Sequence, residues 1–160
     1  MKRTMLALSV LALAAASAGA ADDPKVSVGY SFVKYLEDGG GSAPLGVYLS
    51  LWSGSGTALE LDLGYQRDKE EDITLNTFTA LAGPRFSGDS STKPYFHVLG
   101  GIRHDRVLGE SNTAFGGMAG AGVDVSAGGS ILLRLGADFQ IFFDEGENIK
   151  TLRLSAGFTF

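Results

Sequence analysis

The sequence predicts an all-β protein, an eight-stranded antiparallel up-and-down transmembrane β-barrel. Three observations predict it. Apolar and polar residues alternate with a period of two along segment after segment, which puts successive side chains on opposite faces of a strand. The 23 glycines and only 4 prolines in 160 residues suit many short strands and turns, with no collagen period and too much apolar content for disorder. Finally, the connections alternate between small uncharged ones and charged acidic ones, so one end of the molecule is tight and the other highly charged.

An export signal precedes the strands. Lys2 and Arg3, an apolar run from Met5 to Ala16, and Ala18 and Ala20 at the small-residue positions of an A-x-A cleavage site read as a secretory signal peptide over residues 1–20. The apolar run is about twelve residues, short of the roughly 20 that span a bilayer as a helix. The mature chain is expected to begin at Ala21, leaving residues 21–160 as one barrel domain. Without cysteine, lipoprotein anchoring, disulfides and iron–sulfur clusters are excluded. No later apolar run reaches membrane-helix length, so a soluble periplasmic protein or an outer-membrane barrel remains.

The strands follow in order. The first sets Val26, Val28, Tyr30 and Phe32 against Ser27, Gly29 and Ser31, and the second sets Leu45, Val47, Leu49 and Leu51 against Gly46, Tyr48 and Ser50. In the third, Leu59, Leu61, Leu63 and Tyr65 oppose Glu60, Asp62, Gly64 and Gln66. The fourth, from about Ile73 to Phe86, has a parity slip between Ile73 and Leu75 and the later Phe78, Ala80 and Ala82, which predicts a bulge, with Pro84 near its end. The fifth opposes Phe96, Val98 and Ile102 to His97, Gly101 and Arg103; the sixth opposes Phe115, Ala119, Ala121, Val123 and Val125 to Gly116, Met118, Gly120, Gly122 and Asp124. The seventh runs from Ile131 to Phe143 with Arg134, Gly136, Asp138 and Gln140 on its polar face. The eighth ends the chain with Leu152, Leu154, Ala156, Phe158 and Phe160 on one face.

The two faces differ in chemistry. One carries Leu, Val, Ile, Phe and Ala over about ten residues per strand, enough to cross the hydrocarbon layer when tilted. The other holds Glu60, Asp62, Asp124, Arg134, Asp138 and Arg153, charges of both signs, and is expected to line the interior as an ion-pair network. Hairpin registers put Asp138 within about two residues of Arg153, Asp124 diagonal to Arg134, and Tyr48 near Asp62 and Glu60. A water-filled interior, in which such pairs contribute little, is the competing expectation. Tyr35, Tyr65, Phe86, Phe96, Phe143, Phe158 and Phe160 lie near strand ends and fit interfacial girdles. The net charge of −5 and the absence of a basic cluster beyond Arg3 argue against nucleic acid as a partner.

The apolar face that ends on Phe160 looks like the C-terminal assembly signal of bacterial outer-membrane barrels. Leu81-Ala82-Gly83-Pro84-Arg85-Phe86, then Pro94-Tyr95-Phe96-His97 and the Gly-rich strand from Phe115 to Val125, resemble the outer-membrane β-barrel domain family of small porin-like proteins, with the architecture of OmpA and OmpX. The resemblance implies residence in the bacterial outer membrane among its lipids, insertion by the outer-membrane assembly machinery through Leu152, Leu154, Ala156, Phe158 and Phe160, and often no ligand. A monomer without cofactor is expected. No peptidoglycan-binding segment follows Phe160, so an OmpA-type anchoring role is not expected.

A catalytic reading competes with this. His104 stands beside Asp105 with Ser111 seven residues on, and His97 has lumen parity, residue types that a hydrolase or acyltransferase would use. The His-x-Ser pattern of lipid A deacylases is absent, since Leu99 and Arg106 follow the two histidines at that spacing. Two histidines cannot form a three-His zinc site, and Gly116 to Gly122 has neither the Lys nor the helix of a phosphate loop. No catalytic or metal-binding residue is therefore expected. The functional classes left open are a structural or envelope-integrity barrel, a small porin or OmpW-like channel for small solutes, and a surface adhesion module using the acidic loops.

Overall fold

The structure, a computed structural model, describes residues 24–36, 45–54, 56–70, 73–90, 92–144 and 147–160. The expected signal segment, with Ala18 and Ala20, and the acidic residues Glu37, Asp38, Glu71, Asp72 and Glu145 lie outside the described residues. Eight strands are present: β1 (Lys25–Tyr35), β2 (Leu45–Ser53), β3 (Thr57–Glu70), β4 (Ile73–Ser87), β5 (Thr92–Val107), β6 (Glu110–Gly128), β7 (Ile131–Asp144) and β8 (Glu147–Thr159). Each pairs antiparallel with the next and β8 pairs with β1, so the sheet closes into a barrel and has no free edge. No helix among the described residues is long and apolar enough to cross a membrane.

Alternation decides the faces. Along β1, Val28, Tyr30 and Phe32 are exposed on the outside while Ser27, Ser31 and Val33 are buried inside, and from Thr151 to Phe160 burial alternates at every residue. The exposed large apolar side chains outside and the buried Glu, Asp and Arg inside invert the arrangement of a water-soluble barrel. Following paired residues from Val28 through Leu49, Leu63, Ala80, Ile102, Phe115 and Phe143 leads to Asn148, ten residues along β8 from Phe158, the direct partner of Val28. That stagger is the shear of a barrel with tilted strands.

Three expectations are corrected. The bulge expected in the fourth strand is absent: β3 and β4 stay in register from Thr57 opposite Phe86 to Glu70 opposite Ile73. Ile73 and Leu75 share the inward parity of Thr77 and Thr79 but sit at the barrel mouth, above the lipid belt, where the apolar-out rule no longer applies. The irregularity instead falls between Ser126 and Gly128, where β6 enters a turn with φ of 116° at Gly128 and 60° at Gly129. Second, most charged connections are strand ends. β5 and β6 have 16 and 19 residues, well beyond the roughly 9–11 that cross a bilayer, so Asp105, Arg106 and Glu110 ride on a hairpin projecting past the belt, as do Asp68 and Lys69 on β3 and Asp144 on β7. Third, Tyr35 is not a girdle residue; it has inward parity and its hydroxyl accepts a hydrogen bond from Arg103 at 2.9 Å.

Candidate functional site in the barrel lumen

The lumen is filled in layers. Toward the tight end, Arg85 of β4 and Arg134 of β7 lie between two aromatic rings, Trp52 (4.4 and 4.1 Å to the centroid) and Tyr95 (3.8 and 4.7 Å). Arginine suits this place because its flat cation can stack on a ring and still donate in its plane. Both guanidiniums converge on Asp124: Arg134 donates through Nε at 2.8 Å and Nη2 at 2.9 Å, and Arg85 through Nη2 at 3.0 Å. Glu60 of β3 receives Arg85 at 3.4 Å and stands 3.7 Å from Arg134.

The middle layer continues the chain of contacts. The His97 ring on β5 bridges two acids, with Nδ1 2.8 Å from Glu60 Oε2 and Nε2 2.9 Å from Asp138 Oδ1. Arg153 of β8 donates through Nε to Asp138 at 2.8 Å and through both terminal nitrogens to Asp62, at 2.8 and 3.2 Å. The Ser50 hydroxyl also donates to Asp62, at 2.8 Å. Asp62, Arg153, Asp138, His97, Glu60, Arg85, Asp124 and Arg134 thus form one continuous network crossing the lumen, every member no more than 3% exposed.

The charge count of this network turns on the histidine. Four carboxylates face three guanidiniums, leaving one negative charge; an imidazolium at His97 donates to a carboxylate from each nitrogen and brings the sum to zero. A neutral ring has only one N–H, so one of its two short contacts to an ionised carboxylate would lack a proton.

Above the ionic layers lies an apolar one of Leu81, Leu99, Met118, Phe142 and Ala114, with Ile149 against it. Above that again, Arg103 donates to Asp105 at 2.7 Å and to Tyr35, and Thr77 bonds Asp105. Gln140 reaches the apolar layer, its Nε2 3.3 Å from Met118 Sδ and its Oε1 accepting from the Thr151 hydroxyl at 2.9 Å, so an ion leaving its paired site meets a mostly apolar surface with few groups to solvate it.

The glycines of β6 and β7 make room for these side chains. A Cβ at Gly120 would lie 1.9 Å from Asp138 Oδ1, one at Gly116 would lie 2.8 Å from the Phe142 ring, and one at Gly122 or Gly136 would lie 2.6 Å from the Tyr95 hydroxyl. These glycines are conformationally ordinary; space, rather than backbone freedom, requires them.

The structure brings all six predicted lumen residues, Glu60, Asp62, Asp124, Arg134, Asp138 and Arg153, to the interior. Asp138 stands opposite Arg153 and Asp124 opposite Arg134, so the second pair is directly across rather than diagonal. Tyr48 stands opposite Gly64 and its hydroxyl is 3.3 Å from Ser27 Oγ rather than bonded to Asp62 or Glu60. Leu152, Leu154, Ala156, Phe158 and Phe160 all face outward on the terminal strand. Sequence reading passed over Arg85, Trp52 and Tyr95 and gave His97 no bridging role. Arg85 was legible in principle, since counting by twos back from it reaches Thr77; the supposed slip in the fourth strand hid it.

The catalytic constellation weighed from sequence is not assembled. His104 has outward parity and bonds Thr113 at 2.9 Å, whereas Asp105 has inward parity on Arg103 and Thr77, and Ser111 pairs with Arg106. Among the described residues no group of three His, Asp or Glu is arranged to hold a metal ion.

A closed eight-stranded barrel with an uncharged apolar belt outside and paired charges inside is a membrane-spanning β-barrel. The chain belongs to the outer membrane protein beta-barrel domain family, which it matches over residues 4–160, and it is a protein of the bacterial outer membrane. It is similar in fold to the solved structure of Neisserial surface protein A, at 16% identity and a TM-score of 0.73, over 85% of this chain and 95% of that one. Ail of Yersinia pestis aligns at 19% identity and a TM-score of 0.57 over 88% of this chain and 100% of that one. OprG of Pseudomonas aeruginosa aligns at 10% identity and 0.60, over 87% and 95%. At these identities the likeness is one of fold. A search of curated proteins finds no match.

Proposed function

We propose that this protein is a non-enzymatic structural barrel that supports the integrity of the outer membrane, with a lumen plugged by its own ion pairs. The observation that carries the reading is the unbroken network from Asp62 to Arg134, roofed by the Leu81, Leu99, Met118 and Phe142 layer. No side chain in it is free to swing out without leaving a charge unpaired in a dry site. The opposite parity of His104 and Asp105, with Asp105 turned inward onto Arg103 and Thr77, supports the absence of hydrolytic chemistry. Single-channel recording in planar bilayers tests the plug. The wild type should show no stable conductance, while a large, steady conductance would favour the small-solute channel.

The same reading takes the protein as a monomer delivered by the outer-membrane assembly machinery through its last strand. Leu152, Leu154, Ala156, Phe158 and Phe160 offer that machinery an outward apolar ridge. Phe160→Asp should lower the inserted fraction and leave secretion intact; unchanged barrel yield would remove the terminal residue from that role.

A further inference from the structure

At the open end the wall of the barrel is not level. β3 continues past its last pair with β2, Arg67 with Leu45, and β6 rises from its last pair with β7, Phe115 with Phe143, as far as Glu110. β1 ends at Tyr35, which reaches only Arg103, below Val107 on β5. The upper parts of β3, β4, β5 and β6 therefore stand as a four-stranded sheet beside the mouth, with neither β1 nor β2 rising across from it.

One line of register crosses this sheet: Asp68 stands opposite Leu75, Leu75 opposite Val107, and Val107 opposite Glu110. Paired residues share a face, and here it is the face that continues the lumen wall. Two apolar side chains thus lie between two carboxylates whose backbones are three strand spacings apart, about 14 Å. Ile73, next above Leu75 on that face, is 49% exposed, and Leu75 and Val107 are only partly buried. The other face of the raised sheet is polar, with Arg67, Lys69, Arg106 and Ser111. An apolar strip on one side of a sheet wetted on both marks a surface to be covered. Neither Asp68 nor Glu110 has an ion pair with a described residue, so the charges beside the strip are uncompensated.

Charge selects the occupant. The chain's own connections at this end add Glu37, Asp38, Glu71, Asp72 and Glu145 and no lysine or arginine, so they are repelled by the row. Anionic headgroups are repelled in the same way. A single metal ion cannot bridge carboxylates so far apart, and it would leave Leu75 and Val107 wet. What fits is a polypeptide with two cationic side chains flanking an apolar one. In an extended segment, residues i, i+2 and i+4 share a face and the outer two lie about 13 Å apart, which matches the row. We infer that Asp68, Leu75, Val107 and Glu110 form a docking surface for a cationic amphipathic segment of another protein, basic at i and i+4 and apolar at i+2. The row lies above the layers that fill the lumen, so the inference holds whether or not the lumen conducts.

The test uses the folded protein in nanodiscs of zwitterionic phospholipid and, as probe, a fluorescent synthetic peptide containing Lys-Ser-Leu-Ser-Lys, with binding followed by anisotropy. The probe should bind at least about tenfold more tightly than to empty nanodiscs, and about tenfold more tightly than the same peptide with Ser in place of Leu. Asp68→Asn with Glu110→Gln, folding checked by heat-modifiable gel migration, should lose about tenfold in affinity. Leu75→Thr with Val107→Thr, which keeps both carboxylates, should erase the preference for the Leu-containing peptide. Binding no tighter than to empty nanodiscs, or unchanged affinity in the carboxylate variant, would overturn the inference. Equal binding of the two peptides by wild type would overturn it as well, by reducing the row to a general attractor of polycations.

Discussion

Asp138 and Arg153 face each other across β7 and β8, with Arg153 Nε donating to Asp138 at 2.8 Å while its terminal nitrogens reach across the lumen to Asp62 on β3. One guanidinium thus ties the closing hairpin to the opposite wall. Asp138→Ala leaves both Arg153 and His97 short of a partner and should cost about 3–5 kcal/mol in unfolding from detergent. Adding Arg153→Ala should recover part of that loss, and a double-mutant cycle reads the coupling directly. Additive effects would show that the pair contributes no coupling of its own.

His97→Gln replaces a ring that touches two carboxylates with a neutral amide. It leaves four carboxylates against three guanidiniums in a dry lumen, and should cost about 2–4 kcal/mol. Restoring one neutral partner tests the charge argument: Asp138→Asn added to His97→Gln should be less destabilising than the sum of the two. A sum or worse would mean that His97 acts by shape alone.

Gly120→Ala should cost about 1–3 kcal/mol, because its Cβ would meet Asp138 Oδ1 and push the carboxylate off His97. Gly100→Ala is the matched control, since nothing lies closer than 3.8 Å to a Cβ there. Chemical denaturation should separate the two variants; equal midpoints would argue that the lumen yields freely.

Leu108 and Gly109 form the β5–β6 turn with φ of 49° and 91°, the two positive values of a type I′ turn. Leucine is a poor choice there and is fully outside the core, at 76% exposure. Leu108→Asn should raise stability by about 1 kcal/mol, read as a shift of the denaturation midpoint, without altering the lumen.

What was legible in the sequence follows from a period of two. Alternation alone places Glu60, Asp62, Asp124, Arg134, Asp138 and Arg153 on one face and the Leu152-to-Phe160 ridge on the other, because neighbouring residues of a strand cannot share a face. Its eight repeats and the sorting of connections lead to a closed membrane barrel, since lipid tolerates no unpaired strand edge. Register within a hairpin is local too, and it brought Asp138 close to Arg153.

Tertiary structure decided the rest. Which charges meet across the lumen depends on the stagger of all eight strands, a sum of registers in which one misjudged residue moves every later partner. So Arg153 reaching Asp62, His97 lying between Glu60 and Asp138, and Arg85 and Arg134 stacking between Trp52 and Tyr95 have no signature in spacing. The glycines of β6 show the same division: their abundance is visible in the chain, but that Gly120 is empty for Asp138 and Gly116 for Phe142 is fixed only when the strands stand side by side.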